Sequence, residues 1–152
     1  MDFDAALDKL EADKRDKTDA ATKAAQEKRD RIAAFDAAWN EVAKQVLVPV
    51  LDELAEKLRS RGLDATANHS IDVNSGASRD STLVIHLTTN QGKARCWVRV
   101  FAVAGTEQMS VEVNTLQAQG GGSGGTRHDP LAKLTREFLE QKALEIAKAA
   151  MR

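Results

Sequence analysis

The first 48 residues contain neither glycine nor proline, and this restricts the fold more than any other feature of the sequence. Alanine, glutamate, lysine, arginine and glutamine dominate the segment, and these residues have high helix propensity. An unbroken helix over residues 3–48 would be about 70 Å long at 1.5 Å per residue, too long to lie on a small domain. Because no loop-forming residue allows it to fold back, we expect it to project or to pair with another chain.

The apolar content of this helix changes near residue 31. Residues 1–30 carry nine acidic and seven basic side chains, which predicts a charged helical extension without a core of its own. Larger apolar side chains then recur at three-four spacing, the pattern of a helix with one apolar stripe. These are Ile32, Phe35, Trp39, Val42 and Val46. We predict a homo-oligomer that associates as a coiled coil through residues 31–48; the alternative is a lone charged helix that acts as a spacer.

Proline and glycine mark the end of the helical region. The stripe continues past Pro49, so we predict a helix over residues 31–61 with a kink near this proline, which cannot donate a backbone hydrogen bond. Gly62 is expected to take a left-handed conformation that ends the helix, with Leu63 packed back on Leu58 in a Schellman motif.

Residues 64–116 switch to an apolar period of two, which indicates β-strands. The predicted strands are 67–73, 82–89, 94–103 and 108–116, joined as an antiparallel meander. The predicted registers pair Val73 with Leu83, Ile85 with Val98, and Val100 with Val111. They place one apolar set on a single inner face: Ile71, Val73, Leu83, Ile85, Leu87, Cys96, Val98, Val100, Ala102, Met109, Val111 and Val113.

The glycine-rich segment 117–128 is predicted to be a flexible linker. Gly120, Gly122 and Gly125 formally match a phosphate-binding loop, but no parallel strand follows to complete such a site. A final helix over residues 129–151 is expected to begin at Asp129 as N-cap and to pack on the inner sheet face. The predicted fold is therefore α+β, with a single domain over residues 31–152.

No catalytic, cofactor-binding or metal-binding constellation is predicted. Strand alternation places His69 and Cys96 on the inner face and His86 on the opposite face, while His128 falls in the linker, so they do not converge on a metal. Cys96 lies within a strand and is expected to be a small buried side chain rather than a nucleophile. We therefore expect a protein that is not an enzyme.

The outer sheet face offers the most specific functional hypothesis. It is predicted to carry His86, Arg95, Trp97, Arg99, Phe101 and Glu112. One interpretation is a solvated face with an Arg99–Glu112 ion pair and with Trp97 stacked on His86. The other is a binding platform, because tryptophan and arginine are favoured anchors of interfaces and of stacked bases. A net charge of −1, and the acidic side chains of Asp72 and Glu112 predicted on the same face as the two arginines, argue against nucleic acid as the partner.

These expectations define a non-enzymatic interaction module that self-associates through its N-terminal helix and binds an unidentified protein through the outer face. The alternative is a small-ligand or single-stranded nucleic-acid binding domain that uses the face around Trp97 and Arg99. The acidic start of the chain does not resemble a signal peptide, and the longest apolar run, 46–51, is too short to span a membrane. We expect a cytoplasmic protein.

Overall fold

The computed structural model describes residues 2–70, 79–102, 105–116 and 122–151 and has an α+β fold. Its helices and turns are α1 (Phe3–Val42), a π-helical turn (Ala43–Leu47), α2 (Val48–Ser60), a 3-10 turn (Leu131–Lys133) and α3 (Arg136–Ala150). Its strands are β1 (Asp64–Ser70), β2 (Arg79–Thr89), β3 (Gly92–Ala102), β4 (Met109–Leu116) and β5 (Gly122–Asp129).

The chain divides into two compact units, Met1–Phe35 and Asp36–Arg152. The first unit is helical, and every side chain from residue 2 to residue 31 is exposed. This unit includes three large apolar side chains that are exposed to solvent: Phe3, Leu7 and Leu10, at 67%, 40% and 64%. This unit therefore has no core of its own, as its composition predicts.

The helical part of the second unit changes register before Pro49. Residues Ala43–Leu47 form a π-helical turn, in which the Val48 N–H donates to the Ala43 carbonyl five residues back. A π turn absorbs one extra residue, and it ends next to the position where proline removes a donor. The region predicted as a kinked helix therefore contains a widened turn followed by α2.

The predicted end of α2 is confirmed. Gly62 has a φ of +88°. The Leu63 N–H donates to the Leu58 carbonyl at 3.1 Å, and the Gly62 N–H donates to the Arg59 carbonyl at 3.0 Å. These two bonds form the Schellman motif, and they turn the chain directly into β1.

The sheet has five antiparallel strands in the order β1-β2-β3-β4-β5, so the prediction of four strands is wrong. The missed strand is β5, which lies in the segment predicted as a linker. It pairs with β4 along its whole length: Met109 lies opposite Asp129 at one end, and Leu116 lies opposite Gly122 at the other. Its glycines give it no alternating side chains, but their backbone groups still complete the ladder with β4. Residues 117–121, including Gly120, lie outside the described residues.

Two of the three predicted registers are wrong, although the β2–β3 shift leaves the predicted inner face of those two strands unchanged. Val100 lies opposite Val111 as predicted. Leu83 lies opposite Val98, however, so β2 and β3 are shifted by two residues from the predicted pairing. The hairpin is tighter than expected because Thr89 pairs with Gly92 and its hydroxyl donates to the Gly92 carbonyl at 2.9 Å.

The β1 prediction also differs from the structure. Ala67 is the residue opposite Leu83, because β1 begins at Asp64 directly after the Schellman motif. Ile71 and Val73, which were expected on the inner face, and Asp72 lie outside the described residues.

The inner face of the sheet forms the core of the second unit. Leu83, Ile85, Val98 and Val100 are each 0% exposed. Helix α2 contacts β1 and β2, and α3 contacts β2, β3 and β4. Because this is the fully buried face, the two helices cover it. The other fully buried large side chains include Trp39, Leu47, Leu51, Leu139 and Ile146.

The last helix begins later than predicted. Its N-cap is Thr135, whose hydroxyl accepts a hydrogen bond from the Phe138 N–H at 3.3 Å. Asp129 instead ends β5, where its side chain is 3% exposed and pairs with Arg127 at 3.3 Å. The Asp-Pro sequence that favoured an N-cap is thus followed by a 3-10 turn.

Candidate functional site

The outward-facing side chains of the central strand form an alternating row of cations and rings. Successive residues of β3 point to opposite faces, so Arg95, Trp97, Arg99 and Phe101 share the outer face while the residues between them enter the core. We call these four residues the β3 ladder. Because β3 is the middle strand of five, the ladder runs along the centre of this face.

Each ring of the β3 ladder has a guanidinium group over it. The Arg95 Cζ lies 5.0 Å from the centroid of the Trp97 ring, and the Arg99 Cζ lies 4.2 Å from that of Phe101. Both distances are within the range of cation–π attraction. Trp97 and Phe101 remain half-buried. The rings are therefore held in position by their own strand and still accessible at the surface.

The two arginines differ in their charge partners. Arg99 Nη2 lies 2.7 Å and its Nε 2.8 Å from Oδ2 of Asp80, and both side chains are partly buried. Glu112 is the β4 residue opposite Arg99 as predicted, but the guanidinium pairs with Asp80 on the other neighbouring strand. Arg95 is exposed and has no carboxylate partner among the described residues. Arg95 is thus the ladder's available cation.

The neighbouring strands contribute the side chains that lie beside the β3 ladder. Val84, rather than the predicted His86, lies opposite Trp97, and Asn114 flanks the tryptophan on β4. His86 lies opposite Arg95 and is exposed. At the other end of the face, His128 on β5 lies 2.8 Å from the Ser110 hydroxyl through its Nδ1. These registers place on the outer face all six residues that were predicted there: His86, Arg95, Trp97, Arg99, Phe101 and Glu112.

The charge of the outer face is balanced. Its described strand positions include three cations and three carboxylates: Lys93, Arg95 and Arg99, with Asp64, Asp80 and Glu112. One of the cations, Arg99, is already paired. A surface that follows a phosphate backbone needs a cationic excess, which this face lacks.

The residues predicted for self-association are distributed between core and surface. Trp39 is 0% exposed and belongs to the core of its own unit, so it offers no surface to another chain. Ile32, Phe35, Val42 and Val46 are half-buried. The large side chains that are exposed lie instead at Phe3, Leu7 and Leu10 in α1 and at Leu144 and Met151 near the C-terminus.

A serine, a histidine and an aspartate from three elements form a hydrogen-bonded chain that the sequence did not reveal. His69 Nε2 lies 2.8 Å from Asp52 Oδ1, and His69 Nδ1 lies 2.7 Å from Ser81 Oγ. Ser81 is 0% exposed, whereas the Asp52 carboxylate is 56% exposed. A nucleophile must reach its substrate, so the burial is the reverse of what catalysis needs. The chain ties α2 to the first two strands.

Two surface depressions are poor candidates for small-ligand sites. The larger, about 520 Å³, is lined by α2 and by Ala67 and contains the carboxylates of Asp52, Glu53 and Glu56. Ligand pockets are mostly apolar, and this one is dominated by charged groups. The smaller, about 210 Å³ beside His86 and Lys93, is below the roughly 300 Å³ at which ligand pockets usually begin.

The described residues include no group of three or more histidine, cysteine, aspartate or glutamate side chains that could hold a metal ion. Cys96 is buried within β3. None of the helices among these residues has the length and apolar character needed to cross a membrane. Comparison with known proteins finds no match to a family model, to a curated protein or to a solved structure.

Proposed function

We propose that the chain is a non-enzymatic interaction module that binds a protein partner through the outer sheet face and self-associates through α1. The observation that carries the sheet-face part is the position of Trp97, a half-buried tryptophan in the centre of a sheet face. Tryptophan and arginine are the residues most often found as energetic anchors in interfaces, and anchors concentrate near the centre of the contact.

The side chains around Trp97 suggest what the partner offers. The proposed partner segment places an apolar side chain on the ring of Trp97. It also carries a carboxylate that pairs with Arg95, since Arg95 has no carboxylate partner among the described residues. The cation–π contact holds both groups close together before binding, so less side-chain entropy is lost on association. Arg99 is already neutralised by Asp80 and would serve mainly to hold Phe101 in place.

The balanced charge of the face favours a protein over a nucleic acid. With three cations against three carboxylates, phosphate neutralisation would contribute little to binding. A single-stranded nucleic acid could still stack a base on Trp97. Small-ligand binding has less support because the depression beside His86 has a volume of only about 210 Å³.

The experiment compares three forms of the full chain immobilised on a resin. Wild type, the double variant Trp97→Ala, Arg95→Ala, and the control Leu144→Ala are exposed to lysate from the source organism, and retained proteins are quantified by mass spectrometry. Leu144 is 56% exposed on α3, away from the sheet face, and tests for loss of a nonspecific apolar contact. Circular dichroism checks that all three forms are folded.

The expected result is a defined set of proteins retained by wild type and by Leu144→Ala, and lost with the double variant. Equal retention by all three forms would show that the outer face is not the binding surface. A parallel measurement of single-stranded DNA and RNA binding at low salt tests the alternative. Salt-sensitive binding that disappears with Trp97→Ala would replace the protein partner by a nucleic acid.

A further inference from the structure

The exposed large apolar side chains of α1 lie on one face of its first turns. Phe3, Leu7 and Leu10 are separated by four and three residues, the spacing that places side chains on one side of a helix. We call them the N-terminal stripe. They are 67%, 40% and 64% exposed, so large apolar surface remains in contact with water. A helix without a core of its own gains stability when such a stripe is buried by another chain.

A second group of residues on the same helix has small side chains whose spacing matches the N-terminal stripe in reverse order. Thr18, Ala21 and Ala25 lie at intervals of three and four residues, so their order of spacing is the reverse of that of the N-terminal stripe. When two such helices run antiparallel, each large side chain of one meets a small side chain of the other. Large side chains opposite small ones allow the helix axes to approach closely without steric conflict.

The charges of α1 also favour an antiparallel arrangement. Residues 2–13 include five acidic and one basic side chain, whereas residues 14–25 include four basic and two acidic ones. Parallel pairing would place two acidic segments side by side and two basic segments side by side. Antiparallel pairing instead places each acidic segment beside a basic one.

Individual flanking residues agree with this arrangement. On a helical wheel at 100° per residue, Glu11 and Arg15 fall on one flank of the apolar face, and Asp13 and Lys17 fall on the other. In antiparallel coiled helices, residues on the same flank face each other across the interface. Pairing Leu7 with Ala21 brings Glu11 of one copy to within a helical turn of Arg15 of the second, and Asp13 to within a turn of Lys17.

We propose that two copies of this chain pair through antiparallel α1 helices, with the N-terminal stripe of each copy packed on the Thr18, Ala21 and Ala25 run of the other. This inference rests on the proposed self-association of α1 and moves its contact from residues 31–48 to residues 3–25. Lys14 lies at the two-fold centre, where its long side chain extends out of the seam towards water.

The first test measures solution mass by sedimentation equilibrium. Wild type is expected to dimerise, and Leu7→Ser combined with Leu10→Ser is expected to weaken dimerisation at least about tenfold, as the loss of two buried leucine contacts requires. The matched control, Leu144→Ser, removes a leucine outside α1 whose exposure, 56%, lies between those of Leu7 and Leu10, and it is expected to leave the dimer intact. A dimer that persists in the double variant would overturn the contact through residues 3–25 while leaving self-association in place.

The second test reports orientation by cross-linking with a short bismaleimide. Asp4→Cys and Thr22→Cys place exposed thiols on the same flank, and Cys96 does not compete because it is 0% exposed. Antiparallel pairing brings residue 4 of one copy close to residue 22 of the other, whereas two copies of residue 4 are about 30 Å apart along the axis. Cross-links are therefore expected in a mixture of the two variants and not with Asp4→Cys alone.

The outcomes separate this inference from the proposed function. Cross-linking of Asp4→Cys alone would show parallel pairing and overturn the antiparallel arrangement. A wild-type chain that stays monomeric would remove self-association altogether. The sheet-face proposal would be unaffected by either result, since it is judged by retention of partners with the Trp97 and Arg95 variants.

Discussion

The two faces of the sheet are built from alternating residues of the same strands and differ in what surrounds them. On β3, Val98 and Val100 are 0% exposed, while their neighbours Trp97 and Arg99 keep part of their surface in water. The inner face is covered by α2 and α3, and the outer face has no comparable cover among the described residues. Residues adjacent in the chain therefore differ in their surroundings: the inner set is packed in the core, whereas the outer set is left accessible, as the proposed partner binding requires.

The largest difference is expected from adjacent substitutions on β2. Leu83→Ala removes a fully buried side chain from the inner face and should lower the free energy of unfolding by about 3 kcal/mol. Thr82→Ala, one residue away on the outer face, should lower it by less than about 1 kcal/mol. Urea unfolding followed by circular dichroism measures both. Equal losses would show that the outer face is as tightly packed as the inner one.

Arg79 is an exception on the inner face, and it tests how much a buried charge depends on its partner. Its side chain is 2% exposed, and its Nη2 donates to Asp36 Oδ1 at 2.6 Å, while Nε and Nη1 have no hydrogen-bond partner among the described residues. Asp36→Asn should lower the free energy of unfolding by about 2 kcal/mol, below the roughly 3–5 kcal/mol of a fully buried pair because Asp36 is 29% exposed.

The matched control for this substitution is Asp64→Asn, which removes an exposed carboxylate from the outer edge of β1. Its effect on urea unfolding should stay within about 0.5 kcal/mol. If Asp36→Asn were equally mild, Arg79 would have to find another acceptor or reach water, and the inner face would tolerate charge better than its burial suggests.

Alternation explains why the faces of the central strands could be predicted from sequence although two of the three registers were wrong. A shift of two residues, as between Ile85 and Val98, keeps every side chain on its predicted face, so an apolar pattern cannot detect it. The exact pairing depends on how Thr89 closes the hairpin, which is a local hydrogen-bonding choice. The outer-face positions of Trp97 and Arg99 followed from the pattern, but the pairing of Arg99 with Asp80 did not.

The other omissions have equally specific causes. Strand β5 escaped prediction because Gly122, Gly124 and Gly125 carry no side chains from which a face could be recognised. The contact of His69 with Asp52 and Ser81 joins three elements that are separated along the chain. No pattern of nearby residues in the sequence could therefore have predicted it. Gly62, in contrast, was predicted correctly because a Schellman motif is set by a few consecutive residues.

The smallest expected effect concerns the helices that keep the inner face covered. Glu53 on α2 lies 2.7 Å from Arg136 on α3 and 3.1 Å from Lys57. The hydrogen bond from Arg136, followed by the one from Lys57, lowers the pKa of Glu53 from 4.5 to about 2. Both partners are substantially exposed, so solvent screens the pair and its contribution to stability is modest.

The direction of its pH dependence follows from the lowered pKa. Folding favours the ionised carboxylate, so the stabilisation is complete above pH 4.5 and is lost as the pH falls towards 2. Glu53→Gln should therefore be less stable than wild type in urea near neutral pH, and this difference should disappear near pH 2. Glu56→Gln, an exposed neighbour on the same helix, removes a carboxylate that is not part of this pair and is the matched control. A Glu53→Gln difference that is the same at both pH values would mean that the side chain stabilises the helix layer by packing, and that the cover of the inner face does not depend on this charge pair.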